Sequence, residues 1–324
     1  MIGHRNQRPV NGQDHSTRGR QPERPRPHRE PVGGRTQFLA WTAWVVLALL
    51  GLEYLSGVFY LVAVVASGVL LHLAMGGALP ARVDVDRRSL MFITAIYVLV
   101  VALMAVAFRG FGTDSTAGLF AFFALALVTG VAGPVYFTVW TERRPLADLG
   151  LTVGAWPRVL GLAVLFGGTQ FALTLWGYAL PAPEDWVPLL VMALVVGVFE
   201  SIFFRGFLQS RLQRQFGDLV GILIAAVAYG AYHVGYGMGL DQIAFLTGLG
   251  VVYAVAFALA RSVFVLWPLL TPLGSFYANV QAGDIPLPWA SIAGFADVLV
   301  VMLVVIWLAH RHLTRASSAD AGSG

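Results

Sequence analysis

Cysteine and lysine are both missing from this 324-residue chain. Without cysteine there is no disulfide, no thiolate zinc site and no cysteine nucleophile. All 21 basic residues are arginine. With abundant Ala, Gly and Val, that bias points to a GC-rich bacterial coding sequence. Charge of either sign is scarce: charged residues make up 12% of the chain and hydrophobic residues 57%. That balance excludes an ordinary soluble domain. What fills the chain instead is a series of apolar segments near 20 residues, each long enough to cross a ~30 Å hydrocarbon core as a helix.

Residues 1–36 stand apart. They are polar and proline-rich, with arginines at 5, 8, 18, 20, 24, 26, 29 and 35. No periodic apolar face is present, so the segment is expected to be a disordered basic tail at the cytoplasmic surface, in contact with anionic lipid. It lacks the aromatic interleaving of a nucleic-acid binder, and nucleic acid is not an expected partner. No apolar core follows the start closely enough for a cleavable signal peptide. Ten transmembrane helices are expected beyond it, at about 38–55, 58–78, 89–108, 117–140, 157–180, 186–214, 218–238, 241–260, 262–281 and 289–310. Pro268 and Pro272 interrupt the ninth. The fold class is an all-α polytopic transmembrane bundle of about ten helices, without an internal repeat.

The arginines assign a side to each loop. The tail, Arg82, Arg87 and Arg88, Arg143, Arg144 and Arg158, the 205–217 turn, Arg261, and Arg311 with Arg315 all fall on one side. The opposite loops carry Arg109 and the acids Asp114, Glu184, Asp185 and Asp284. The positive-inside rule then puts both termini in the cytoplasm. Trp186 and Trp289 fall where interfacial aromatics are expected.

Two ionisable residues interrupt this apolar pattern at matched positions. Glu200 lies in the sixth expected span and His233 in the seventh. Gly217 suits a helix C-cap and Asp218 the N-cap of the next helix. Each residue is then roughly 24 Å from the turn at 1.5 Å per residue, so both share one depth. Arg205, Arg211 and Arg214 are expected at the headgroups. An intramembrane acid opposite an intramembrane histidine is a functional hypothesis by default. A glutamate can deprotonate a water for attack on a peptide carbonyl. A histidine can hold that water, stabilise an oxyanion or ligate a metal. The bland alternatives are a glutamate satisfied by neighbouring helices and a core histidine. Tyr229, four residues before His233, shares its face, so its hydroxyl can reach the site. On α-helical geometry Arg205 is about 140° from Glu200, shares a face with Ser201, and reaches out to lipid phosphate.

These residues resemble the CPBP family, the CAAX proteases and bacteriocin-processing enzymes also called Abi. Its first motif, Glu-Glu-x-x-x-Arg followed by Gly-Phe-Leu, reads here Glu200-Ser201-Ile202-Phe203-Phe204-Arg205-Gly206-Phe207-Leu208. Its second, Phe-x-x-x-His, reads Tyr229-Gly230-Ala231-Tyr232-His233. Glu142 to Leu146 and Asp148 to Leu151 resemble the segment before the family core. The resemblance spans about 140–280 and implies an intramembrane endopeptidase with Glu200 as base and His233 as its partner. Arg205, Tyr229, Ser201 and Asn279 are implied in supporting places. Two departures stand out. Serine occupies position 201, where the family has a second glutamate. The expected His-x-x-x-Asn is absent from Trp267 to Asn279, where Ser275-x-x-x-Asn279 keeps only the spacing and Thr271 is another candidate position. A divalent metal such as zinc is open as cofactor, with His233 as a ligand. Catalytic zinc wants three protein ligands, and Glu200 and His233 supply two. His72 has no spacing that makes it the third.

The expected organisation is therefore a tail (1–36), N-terminal helices (37–140), a CPBP-like core (141–281), and a last helix with a short cytoplasmic end (282–324). The leading reading is an endopeptidase acting on a peptide or a membrane-protein terminus. A catalytically degenerate scaffold and a proton-coupled transporter are the alternatives.

Overall fold

The computed structural model describes residues 34–77, 85–112, 118–152, 154–175, 182–266 and 289–321. Among them every regular element is helical. In chain order the α-helices are α1 (Arg35–Leu50), α2 (Gly57–Ala74), α3 (Arg87–Ala105), α4 (Ala124–Tyr136), α5 (Trp156–Leu175), α6 (Trp186–Glu200), α7 (Ser210–Phe216), α8 (Asp218–Tyr232), α9 (Leu240–Ala260) and α10 (Trp289–Ala321). Eight continuous helical stretches among the described residues are long and apolar enough to cross a membrane, including Leu189–Phe216, Asp218–Tyr236 and Leu240–Ala260. The chain is a helical membrane bundle.

The first helix begins at Arg35, inside the stretch expected to be tail. Where a ninth span was expected from residue 262, the chain instead makes a short 3-10 turn at Val263–Val265. The Ser262 hydroxyl caps it by accepting from the Phe264 amide at 3.4 Å. The remainder of that expected span, like residues 1–33, lies outside the described residues. The turn after α7 also differs in detail. Gly217, at φ 79°, both ends α7 and starts α8, and no side chain caps the new helix. Asp218 is already helical, and its carboxylate accepts from Gln213 Nε2 at 3.0 Å.

The core sits where α8 and α9 pack against each other and against the helix carrying Glu200. Two glycines set those distances. A Cβ on Gly230 would lie 2.0 Å from Thr247 Oγ1 on α9, and one on Gly221 would lie 2.5 Å from the Gln213 amide nitrogen on α7. Side chains there would push the helices apart.

Between α6 and α7 the chain is a π-helix, Ser201–Gln209, all nine residues of which are buried. An α-helix interrupted in this way is uncommon, and such bulges recur at functional sites. This one packs on the turn Leu146–Leu149, and a Cβ on Gly206 would lie 2.1 Å from the Leu149 carbonyl oxygen. Charged side chains tie the same elements together. Arg211 is 1% exposed, pairs with Glu142, and donates to Thr138 Oγ1 at 2.7 Å. Asp148 takes both Arg144 and Arg214 at 3.1 Å. Arg211, expected at the headgroups, thus turns its side chain into the protein and holds the 141–149 segment to α7.

Candidate active site

Glu200 is the last residue of α6, where the α-helix gives way to the π-helix. The residue is half-buried, and its carboxylate accepts two hydrogen bonds from α8. Tyr232 donates to Oε1 at 2.5 Å and Tyr229 to Oε2 at 3.2 Å. Both carboxylate oxygens are thus held by phenols three residues apart on one helix face. Phe204 packs against both phenol rings and Phe199 against that of Tyr232. Phe204 lies 4.7 Å from the Tyr232 ring and 5.3 Å from the Tyr229 ring, and Phe199 stacks on Phe203 at 5.7 Å.

His233 follows directly, at the first position of a 3-10 turn, His233–Tyr236, that ends the helical run of α8. It is 7% exposed. Its Nδ1 lies 2.9 Å from the Tyr229 carbonyl oxygen. A carbonyl only accepts, so Nδ1 carries the proton in the neutral ring and Nε2 keeps its lone pair. Three tyrosine rings surround the imidazole, with centroids at 4.1 Å (Tyr232), 5.3 Å (Tyr229) and 5.4 Å (Tyr236). Tyr232 touches both Glu200 and His233, donating to the carboxylate and packing on the imidazole. Among the described residues, however, no hydrogen bond joins them, and Tyr229 and Tyr232 stand between.

Arg205 corrects a second expectation. It does not reach out to lipid: it is 1% exposed, and both Nη atoms are buried without a hydrogen-bond partner. Its guanidinium lies 4.9 Å from the centre of the Tyr229 ring and 6.0 Å from that of Tyr253. The cause is the π-helix. An i→i+5 repeat sets residue 205 over residue 200, whereas the α-helical repeat turns it away. Ser201 is 3% exposed, and no described hydrogen bond joins it to Arg205. Behind them Gln170 Nε2 donates to the Tyr253 hydroxyl at 2.6 Å, and Gln209 Nε2 to the Ala254 carbonyl at 2.8 Å.

Asn279, Ser275 and Thr271 lie outside the described residues. His72 lines a different cavity, of about 100 Å³, with Trp41, Trp44 and Ile222. Among the described residues no three histidine, aspartate or glutamate side chains gather as metal ligands. The donors around Glu200 are one imidazole nitrogen and a carboxylate already held by two phenols. That set does not fit a three-ligand zinc centre. Tyr232 is the residue that sequence reading passed over. Its signal was there: it follows Tyr229 by three positions on the same helix.

Comparison with known proteins bears on the same segment. The model of the Rce1-like family, type II CAAX prenyl endopeptidase Rce1-like, matches residues 181–270, less than a third of the chain. No curated protein and no solved structure matches. The match begins just before α6 and ends after α9, and contains Glu200, Arg205, Tyr229, Tyr232, His233 and Tyr253. Over residues 181–270 the chain is therefore similar to the Rce1-like family of CAAX protease-like endopeptidases.

Proposed function

We propose that this protein is an intramembrane endopeptidase in which Glu200 activates the water that cleaves a peptide bond. The observation that carries the reading is the Glu200 carboxylate, set inside a helical membrane bundle and held on both oxygens by Tyr229 and Tyr232. Two donated hydrogen bonds fix the carboxylate in one orientation and leave each oxygen a further lone pair for the water's proton. His233, with Nε2 free to accept, orients the water or the leaving group. Arg205 adds a fixed positive charge next to the tyrosine clamp, in a medium where charges act strongly. No step is routed through a metal.

The substrate class is a peptide or the terminus of a membrane protein, entering from the cytoplasmic side of a bacterial plasma membrane. The distribution of arginines in the sequence supports putting both chain termini on that side, with lipid as a partner. A specific observation also favours a second reading, a catalytically degenerate scaffold. Serine stands at 201, and the stretch Trp267 to Asn279 has no histidine.

Glu200→Gln separates the two. It keeps size and hydrogen bonding but cannot take a proton. Wild type and variant are brought to equal abundance in membranes, and peptide termini are compared by mass spectrometry. General-base catalysis is worth roughly 10²–10⁴-fold, so an endopeptidase leaves a set of new termini that vanish in the variant. Identical termini in both samples rule out the endopeptidase and leave the scaffold.

A further inference from the structure

Peptide hydrolysis needs a base for water and also donors for the oxygen that becomes negative. Among the described residues, the hydroxyls of Tyr229 and Tyr232 are the donors in hydrogen-bond contact with Glu200. The chain has no histidine between His233 and His310. His233 itself points its one N–H at the Tyr229 carbonyl. The Tyr232 and Tyr229 hydroxyls lie 2.5 and 3.2 Å from the carboxylate oxygens, so an oxygen bound next to Glu200 comes within reach of the same two protons. Tyr236 extends the chain, its hydroxyl 3.5 Å from that of Tyr232. The Tyr229 ring also faces the Arg205 guanidinium, which has no hydrogen-bond acceptor of its own.

We propose that Tyr232 and Tyr229 are catalytic residues that hold Glu200 before reaction and become the oxyanion donors during it. This rests on the endopeptidase reading. As water attacks, its oxygen lone pair forms the bond to the carbonyl carbon and its proton passes to Glu200. The carbonyl π pair moves onto the substrate oxygen. The negative charge has then left the carboxylate for the oxyanion, and each phenol O–H, turning about its C–O bond, follows it. When the tetrahedral species collapses, the oxygen's pair re-forms the C=O bond, the C–N bond breaks, and the proton on Glu200 goes to the leaving nitrogen. The hydroxyls return to the carboxylate. Donors of this kind cost little reorganisation because the fold already aims them at the reacting centre. Arg205, fixed against the Tyr229 ring, strengthens Tyr229 as a donor without touching substrate.

The test uses the full-length protein in detergent and a synthetic peptide spanning a cleavage site that depends on Glu200. Loss of one oxyanion donor costs about 10²–10³-fold in kcat. Tyr232→Phe is expected to lose that much in kcat with KM nearly unchanged, because the hydroxyl acts in the transition state and not in ground-state binding. Tyr229→Phe is expected to lose less, its hydroxyl being the more distant. Tyr232 replaced by 3-fluorotyrosine keeps the ring and makes the phenol a more acidic donor, so its kcat should clearly exceed that of Tyr232→Phe, a difference that a packing role alone would not produce. A Tyr229→Phe/Tyr232→Phe double variant that keeps kcat within a few-fold, while Glu200→Gln abolishes it, overturns the donor role and leaves the endopeptidase standing. A loss confined to KM, or a 3-fluorotyrosine variant as slow as Phe, overturns it too. If no cleavage depends on Glu200, this proposal and the endopeptidase reading fall together.

Discussion

At the scale of single residues, what the interior does with arginine sets the sharpest contrast with the sequence. Three arginines after Glu200 read as a basic cuff at the membrane surface. Two of them are instead buried, at 1% exposure each, and they are buried differently. Arg211 has an acid, a hydroxyl and the Phe207 carbonyl as partners. Among the described residues Arg205 has aromatic faces and no hydrogen-bond partner for either Nη. Removing one partner from a buried pair costs about 3–5 kcal/mol, because the remaining charge is stranded. Glu142→Ala should therefore lower the thermal unfolding temperature in detergent severely. Asp148→Ala should lower it little, since its partners Arg144 and Arg214 are 48% and 40% exposed and exposed pairs contribute about 0–1 kcal/mol. Equal losses in the two variants would mean that Arg211 is not the anchor its geometry makes it. Glu200 and His233 were legible from sequence because ionisable residues in an apolar run announce themselves. The fate of the arginines was not, because a side chain's burial depends on which helices close over it.

At the scale of elements, helix positions were readable and helix type was not. The Gly217–Asp218 break put the turn after α7 where the structure has it, and α8 and α9 start within a residue of expectation. Apolar run length and turn glycines carry that information. The π-helix leaves no such mark in Ser201–Gln209, since its i→i+5 pattern comes from packing and not from composition. Missing it turned Arg205 to the wrong face. The short segment against which it packs gives a direct test. Gly206 allows the π-helix to touch the Leu149 carbonyl, and an added Cβ at 2.1 Å would meet backbone that cannot swing aside. Gly206→Ala should cost about 1–3 kcal/mol or more and dislodge the 146–149 turn, read as a drop in unfolding temperature and faster proteolysis there. Gly230→Ala is an informative companion. Its nearest neighbour is the Thr247 hydroxyl, but the Ile243 carbonyl at 2.8 Å and the Thr247 amide at 2.9 Å are backbone. Adding Thr247→Ala should then restore only part of the lost stability. Full restoration would show that α8 and α9 can part without cost.

At the scale of the whole molecule, the arrangement of helix ends makes orientation testable without knowledge of any substrate. One end of the bundle gathers the start of α2, the start of α9 and the end of α8. The Asp241 carboxylate accepts from the Val58 amide at 3.3 Å, and Arg109 donates to the Val234 carbonyl at 2.6 Å. The other end gathers α7, the start of α8 and the end of α9, through Gln213, Asp218 and Arg261. Arg214 and Arg261 lie at this second end, and the positive-inside rule predicts that it faces the cytoplasm. Because the chain has no cysteine, any single cysteine introduced is the only thiol. Arg214, 40% exposed at the second end, and Leu240, 85% exposed at the first, are suitable positions. Replacing Arg214 removes only an exposed ion pair and should leave the fold intact. With a membrane-impermeant maleimide, intact cells should label Leu240→Cys and spare Arg214→Cys, and inverted vesicles should give the reverse. A cysteine at Arg18 should follow Arg214. The opposite pattern would turn the bundle over and bring substrates to Glu200 from outside the cell. Labelling of both positions from one face would break the assignment of α8 and α9 as a spanning pair, and with it the intramembrane setting of Glu200.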